Sequence, residues 1–142
     1  MRAAAALAAV CLSFAPALAH AGAPTGCRHP LTPVSSADAI PAAAAAPLHP
    51  WMALHGERWN GGDAITPGAP VAGFLWAAHH GPNWIVAYKV GGVSCCSTRF
   101  ALIAPQGGRY VQAVPAKGRP DWFGDASCAG IDAALTAYAG DP

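Results

Sequence analysis

The stretch VAGFLWAAHHGPNWIVAYKV, residues 71–90, decides the fold. Its two halves, 71–79 and 84–90, are runs of apolar, aromatic and β-branched residues, which are typical of β-strands. The residues between them, HGPN at 80–83, include the proline and asparagine that tight turns favour. Because two strands joined by a tight turn pair antiparallel, this stretch predicts a β-hairpin.

Two further strands are expected after the hairpin. The segment that ends in CCSTRFALIA predicts a third strand from about residue 94 to 104, and RYVQAV predicts a fourth at 109–114. The residues PQGG, 105–108, lie between them and mark another turn. The short connections predict a small antiparallel four-stranded β-meander.

The end of the chain has helical periodicity. Apolar side chains recur at steps of three and four residues and form one stripe, made of Cys128, Ile131, Leu135 and Tyr138. Asp125 or Ser127 is a suitable N-cap, and Gly140 follows the helix. We expect this helix to pack on one face of the sheet, which gives a two-layer α+β fold.

The chain before the hairpin is expected to contribute less to the core. The segment HPWMALHGERWN, 49–60, predicts a short N-terminal helix with Pro50 at its first position. Residues 22–47 are rich in alanine and proline and predict a largely extended leader. The single α+β domain is therefore expected to span 48–142.

The first 21 residues resemble a secretory signal peptide. An arginine, an apolar run and a set of small residues follow one another in the order that signal peptidases recognise, with cleavage predicted after Ala19 or Ala21. No segment is long and apolar enough to predict a stable membrane anchor. The expected location is the periplasm or the extracellular medium.

Removal of the signal peptide takes Cys11 with it and leaves Cys27, Cys95, Cys96 and Cys128. Four cysteines in an oxidising compartment predict two disulfide bonds. Neighbouring side chains on a strand point to opposite faces, and Cys96 shares the face of the larger apolar residues of the third strand. We therefore expect Cys96 to pair with Cys128 on the helix, and Cys95 with Cys27. Exchanged partners, or a redox-active disulfide between Cys95 and Cys96, are the alternatives.

Composition argues against several classes of function. Loss of Arg2 with the signal peptide leaves seven basic against seven acidic residues, so a nucleic-acid partner held by charge is not expected. Glu57 is the only glutamate, and the chain has no nucleophile-elbow motif or phosphate-binding glycine loop. We therefore predict that the protein is not an enzyme.

Histidines suggest a metal-binding alternative. If cleavage follows Ala19, His20 becomes the first residue, and a terminal amine with its own imidazole is a bidentate copper(II) ligand set. A second imidazole would have to come from His29, His79 or His80. No cofactor is the first expectation, and copper is the alternative.

Aromatic residues suggest a binding module. The chain has five tryptophans, more than a small core can bury with every indole N–H satisfied. Trp122 and Phe123 follow Arg119 in a predicted loop, and aromatic loops beside arginine are typical of protein contacts. The sequence thus predicts a binding or inhibitory module that acts on another exported protein or an envelope component.

Overall fold

The computed structural model describes residues 22–62, 64–91, 98–113 and 126–139. These residues form a mostly antiparallel sheet and two α-helices, so the predicted disulfide-linked α+β fold is confirmed. The helices are α1, Ala42–Ala45, and α2, Cys128–Ala139. The described strands are β1 Thr32–Val34, β2 Met52–Ala53, β3 Ala72–His80, β4 Asn83–Val90, β5 Thr98–Gln106 and β6 Arg109–Gln112.

The predicted meander forms the body of the sheet. Strands β3, β4, β5 and β6 pair antiparallel in sequence order, and the 71–90 stretch is the expected hairpin. Two strands from the segment before the hairpin extend the sheet beyond the predicted four. Near its end, β3 pairs antiparallel with β1, and at its start it pairs parallel with the two-residue β2.

A β-bulge interrupts the β3–β4 pairing. Phe74 lies opposite Tyr88, but Trp76 lies opposite Ala87, so β3 carries one extra residue, Leu75. A bulge of this kind bends its strand and redirects the neighbouring side chains. Here it bends β3 beside the open cavity described below.

Both faces of the sheet are covered, so the fold has more than the two predicted layers. Helix α2 lies on the helix face, which carries Ile85, Ala87, Phe100 and Leu102. As the apolar stripe predicts, Ile131 and Leu135 of α2 are fully buried there. Burying each such side chain contributes about 1.5–3 kcal/mol. The opposite face, called the leader face, carries Val86, Tyr88, Ala101 and Ile103.

The segment expected to be an extended leader covers the leader face. Ile40, Ala44 and Leu48 are buried against it, and β1 adds to the sheet edge. Helix α1 is a single turn, too short to be stable alone, and packing of its alanines onto the sheet compensates. This part of the chain therefore contributes to the core, which the alanine- and proline-rich composition of 22–47 did not indicate, because small alanines permit close packing that their low hydrophobicity does not signal.

The predicted N-terminal helix at 49–60 is also wrong. A helix would use the Trp51 carbonyl for the amide of His55, but this carbonyl accepts the amides of Val71 and Ala72 at 3.0 and 3.2 Å. Gly56 has a φ of +79°, in the left-handed region. Pairing with β3 therefore replaces the helix, and the segment forms β2 and a turn.

The predicted cysteine pairs are wrong as well. Cys27 is bonded to Cys128, with their Cα atoms 4.9 Å apart, so neither Cys27–Cys95 nor Cys96–Cys128 forms. The leader runs beside the start of α2, and this path places Cys27 next to Cys128. Cys95 and Cys96 lie outside the described residues.

Asp132 fixes the leader against α2 one helical turn beyond the disulfide. Its carboxylate accepts the amides of Arg28 and His29, each at 2.9 Å, and the His29 Nδ1–H at 3.0 Å. Burial alone would raise the pKa of the Asp132 carboxyl, but these hydrogen bonds outweigh burial and lower it. Asp132 is therefore an anion at neutral pH, and it ties together segments more than a hundred residues apart.

Candidate functional site

The residues of the predicted aromatic contact, Arg119, Trp122 and Phe123, lie outside the described residues, and so does His20. The loop contact and the copper site at the N-terminus therefore remain predictions. His79 and His80 lie within the described residues, and they are the last two residues of β3.

His79 and His80 point to opposite faces of the sheet, as expected for adjacent strand residues. The His79 ring packs against Trp84, with centroids 5.1 Å apart, and its Nδ1 is 3.3 Å from the Gly81 carbonyl. The His80 ring lies beside His29, and its Nδ1 is 2.9 Å from the Pro30 carbonyl. The two neighbours therefore do not form a chelating pair with each other.

An open cavity of about 560 Å³ lies between the leader and the start of β3. This volume is within the range of small-ligand sites. Three segments line it. They are 35–38 of the leader, 53–59 from the last residue of β2 onward, and 73–75 at the bulge. The lining residues are Ser35, Ser36, Ala37, Asp38, Ala53, Leu54, His55, Gly56, Glu57, Trp59, Gly73, Phe74 and Leu75.

Two carboxylates meet at His55 on the wall of this cavity. Asp38 Oδ1 is 2.9 Å from His55 Nδ1, and Glu57 Oε2 accepts the His55 amide at 2.6 Å. Hydrogen bonds from the backbone amides of Glu57 and His55 lower the pKa of the Glu57 carboxyl, against a smaller opposing effect of burial. Glu57 is thus held in its charged form at one side of the cavity.

Trp59 supplies the aromatic wall. Its indole is half-buried and lies directly on the backbone of Gly73, where an added Cβ would be only 2.4 Å from Trp59 Cε2. Glycine is therefore required at 73 for the ring to lie flat on β3. Gly91, which follows β4, has no room for a Cβ either, because the backbone of Asn60 lies against it.

Asn60 fixes the loop that follows the tryptophan. Its side-chain amide donates to the carbonyls of Thr66 and Ala69 at 3.1 and 3.2 Å, and its Oδ1 accepts the Thr66 amide at 2.7 Å. Its own amide donates to the Pro70 carbonyl at 2.8 Å. These bonds tie Asn60 to Thr66, Ala69 and Pro70 and hold Trp59 against the sheet.

The arrangement is suited to binding a cation with an apolar or planar part. Asp38 and Glu57 each contact His55 through one carboxylate oxygen, and 81 % of the Asp38 side chain is exposed. Sequence reasoning did not assign this site, since it treated 49–60 as a helix and 22–47 as a leader. The single glutamate, two residues from His55 and two from Trp59, was the available signal.

The structure and the comparisons add three findings. The described part of the chain has no helix that is both long enough and apolar enough to cross a membrane. Among the same residues, no group of three or more His, Cys, Asp or Glu side chains is placed to hold a metal ion. Compared with known proteins, the chain matches no family model, and no curated protein or solved structure is significantly similar to it.

Proposed function

We propose that the protein is an exported, non-enzymatic binding module whose cavity holds an arginine side chain of a partner protein. The observation that carries this proposal is the pair of carboxylates, Asp38 and Glu57, placed on one histidine beside the Trp59 indole. The partner would be another exported protein or an exposed protein of the cell envelope.

The charge of the cavity supports a cationic ligand. Glu57 is held as an anion by two backbone amides, and Asp38 is largely exposed, with 81 % of its side chain accessible. A guanidinium can donate two parallel hydrogen bonds to a carboxylate, which an ammonium cannot. Asp38 and Glu57 both lie at His55, so each can accept one of the hydrogen bonds that a guanidinium donates.

The aromatic wall supports arginine over lysine. A guanidinium stacks on an indole face, where a cation contributes about 0.5–2 kcal/mol. Phe74 and Leu75 provide apolar contacts for the methylene stem of the same side chain. Aromatic residues and arginine dominate the strongest contacts of protein interfaces, so this pairing suits a protein partner.

The test is an NMR titration of the mature protein with N-acetyl-arginine amide. N-acetyl-citrulline amide is the matched control, because it has nearly the same shape and no charge. We expect the arginine compound to shift the Trp59 indole N–H signal and the His55 and Gly56 amides. Binding should be at least about fivefold weaker for citrulline and for Glu57→Gln, since a charged hydrogen bond contributes roughly 1.5–3 kcal/mol.

Lys89→Gln is the control variant, because Lys89 is exposed on β4 and does not line the cavity. Its titration should match that of the unmodified protein. Equal shifts with citrulline, or shifts that map away from Trp59 and His55, would contradict the proposal.

A further inference from the structure

We propose that His29 and His80 form a binding site for a divalent transition-metal ion, with copper(II) preferred, in which both imidazoles bind through Nε2. The two residues come from the leader and from the end of β3, and they meet on the helix face near the Cys27–Cys128 disulfide. This site is separate from the cavity and does not depend on the function proposed for it.

Hydrogen bonds fix the tautomer of both rings. The Pro30 carbonyl can only accept, so the His80 Nδ1 at 2.9 Å must carry the proton. Both Asp132 oxygens already accept backbone amides, those of Arg28 and His29, so the His29 Nδ1 at 3.0 Å donates to this carboxylate and carries the proton too. Each neutral ring then has its lone pair on Nε2, which is the form that binds a metal.

The same contacts are those that orient histidine ligands in metalloproteins. A metal-binding histidine generally donates its second N–H to a carboxylate or a backbone carbonyl, which fixes the ring and makes it a better ligand. His29 has the carboxylate of Asp132, and His80 has the carbonyl of Pro30. Within the part of the chain that is described, neither Nε2 has a hydrogen-bond partner.

The spacing of the two rings fits a shared ion. Their centroids are 5.3 Å apart, and their planes meet at 81°. With metal–nitrogen bonds of about 2.0 Å, two imidazoles that share one ion have centroids about 4.5 Å apart at a square-planar angle and about 5 Å apart at a tetrahedral angle. The observed centroid spacing is therefore compatible with one ion bound by both rings.

The ion would have an incomplete set of protein ligands. Two imidazoles leave positions for water or for a group from a ligand, since His29 is partly accessible, with 16 % of its side chain exposed. Imidazole suits copper and zinc, and copper(II) binds nitrogen ligands most tightly among the divalent first-row metals. We therefore expect copper(II) to bind more tightly than zinc(II).

The test is a titration of the metal-stripped mature protein with copper(II), after alkylation of free thiols so that Cys95 and Cys96 cannot bind it. Electron paramagnetic resonance would count the bound nitrogens, and competition with a chromophoric chelator would give the affinity. We expect one bound ion with two imidazole nitrogens. His80→Gln should weaken binding at least tenfold, and so should His29→Gln.

His79→Gln is the matched control, because His79 is the neighbour of His80 on the same strand and points to the other face. We expect it to leave the affinity and the spectrum unchanged. His20→Ala tests whether a terminal histidine binds the ion instead, and it too should have no effect. Loss of binding in either control, or full binding by His80→Gln, would overturn the proposal, as would the absence of stoichiometric copper.

Asp132→Asn separates positioning from ligation. It keeps both imidazoles but weakens the group that orients His29, so affinity should fall about 10–100-fold while the spectrum still shows two nitrogens. Circular dichroism of each variant would confirm that it is folded. An unchanged affinity for folded Asp132→Asn would contradict the assigned role of the carboxylate.

Discussion

Two aspartate–histidine pairs in this protein have almost the same length and very different surroundings. The distance from Asp132 Oδ1 to His29 Nδ1 is 3.0 Å, and that from Asp38 Oδ1 to His55 Nδ1 is 2.9 Å. In the first pair the aspartate and histidine side chains are 19 % and 16 % exposed, and in the second they are 81 % and 46 % exposed. Only Asp132 also accepts two backbone amides.

The difference shows that the distance between two charged groups does not determine how much the pair contributes to the stability of the fold. Solvent screens an exposed pair, and holding two mobile side chains together costs entropy, so its net contribution is small. A partly buried carboxylate that receives several hydrogen bonds is harder to replace, because its loss leaves donors unsatisfied. We therefore assign Asp132 a structural role, in which it also orients the His29 ring, and we expect the carboxylate of the exposed Asp38 pair to be available for a ligand.

The largest expected loss of stability comes from removing the Cys27–Cys128 disulfide, which lies beside the Asp132–His29 pair. Replacing Cys27 and Cys128 by serine opens a loop with a sequence separation of 101. By loop entropy this should lower the free energy of unfolding by about 4–5 kcal/mol, measured by urea denaturation. NMR signals of the His29 ring should broaden or shift, while those of His55 should change little. Equal changes at both rings would contradict the comparison.

Asp132→Asn should have the next largest effect. It removes the charge that receives two amides and an imidazole, and we expect a loss of about 2 kcal/mol in urea denaturation at pH 7. The folded-state pKa of Asp132 is lowered, so its stabilising contribution is present above the unfolded-state pKa of about 4 and is lost as the pH falls through the folded-state value.

The pH dependence provides the check on this prediction. Between about pH 5 and pH 2 the unmodified protein should lose stability more steeply than Asp132→Asn, so the two curves should converge in acid. Parallel curves would show that the carboxylate charge does not stabilise the leader against α2.

Asp38→Asn should have the smallest effect on stability. Its pair with His55 is exposed, so we expect a change of about 0.5 kcal/mol or less in the same denaturation experiment. Its effect should appear instead as weaker binding of N-acetyl-arginine amide. A stability loss as large as that of Asp132→Asn would mean that the exposed pair is structural.

The parts of the fold that were predicted from sequence depend on local patterns. The β3–β4 hairpin has two runs of apolar, aromatic and β-branched residues and a proline–asparagine turn, and α2 has its stripe of Ile131 and Leu135. In both cases the residues that determine the element are neighbours in the chain. Periodicity and turn chemistry are therefore sufficient to identify them.

The parts that were missed depend on contacts between distant segments. The amides of Arg28 and His29 meet Asp132 across more than a hundred residues, and this contact determines the path of Cys27 toward Cys128. Pairing of β2 with β3 likewise overrides the helical pattern of 49–60. Asp38 lies in the leader and Glu57 in the 49–60 segment. Sequence alone could not bring them into one site, because it did not place either segment on the sheet.

The order of the cysteines along the chain has a consequence for biosynthesis. Cys27 is made first among Cys27, Cys95, Cys96 and Cys128, yet its partner Cys128 is made last. In the export that we propose for this chain, Cys95 and Cys96 would reach an oxidising compartment before Cys128, so they would be the first thiols with which Cys27 can react. A premature disulfide of Cys27 with either of them would have to be exchanged through a mixed disulfide, a reaction of seconds to hours that a thiol isomerase accelerates. Yield in a host should accordingly depend on isomerase activity more than on oxidant supply.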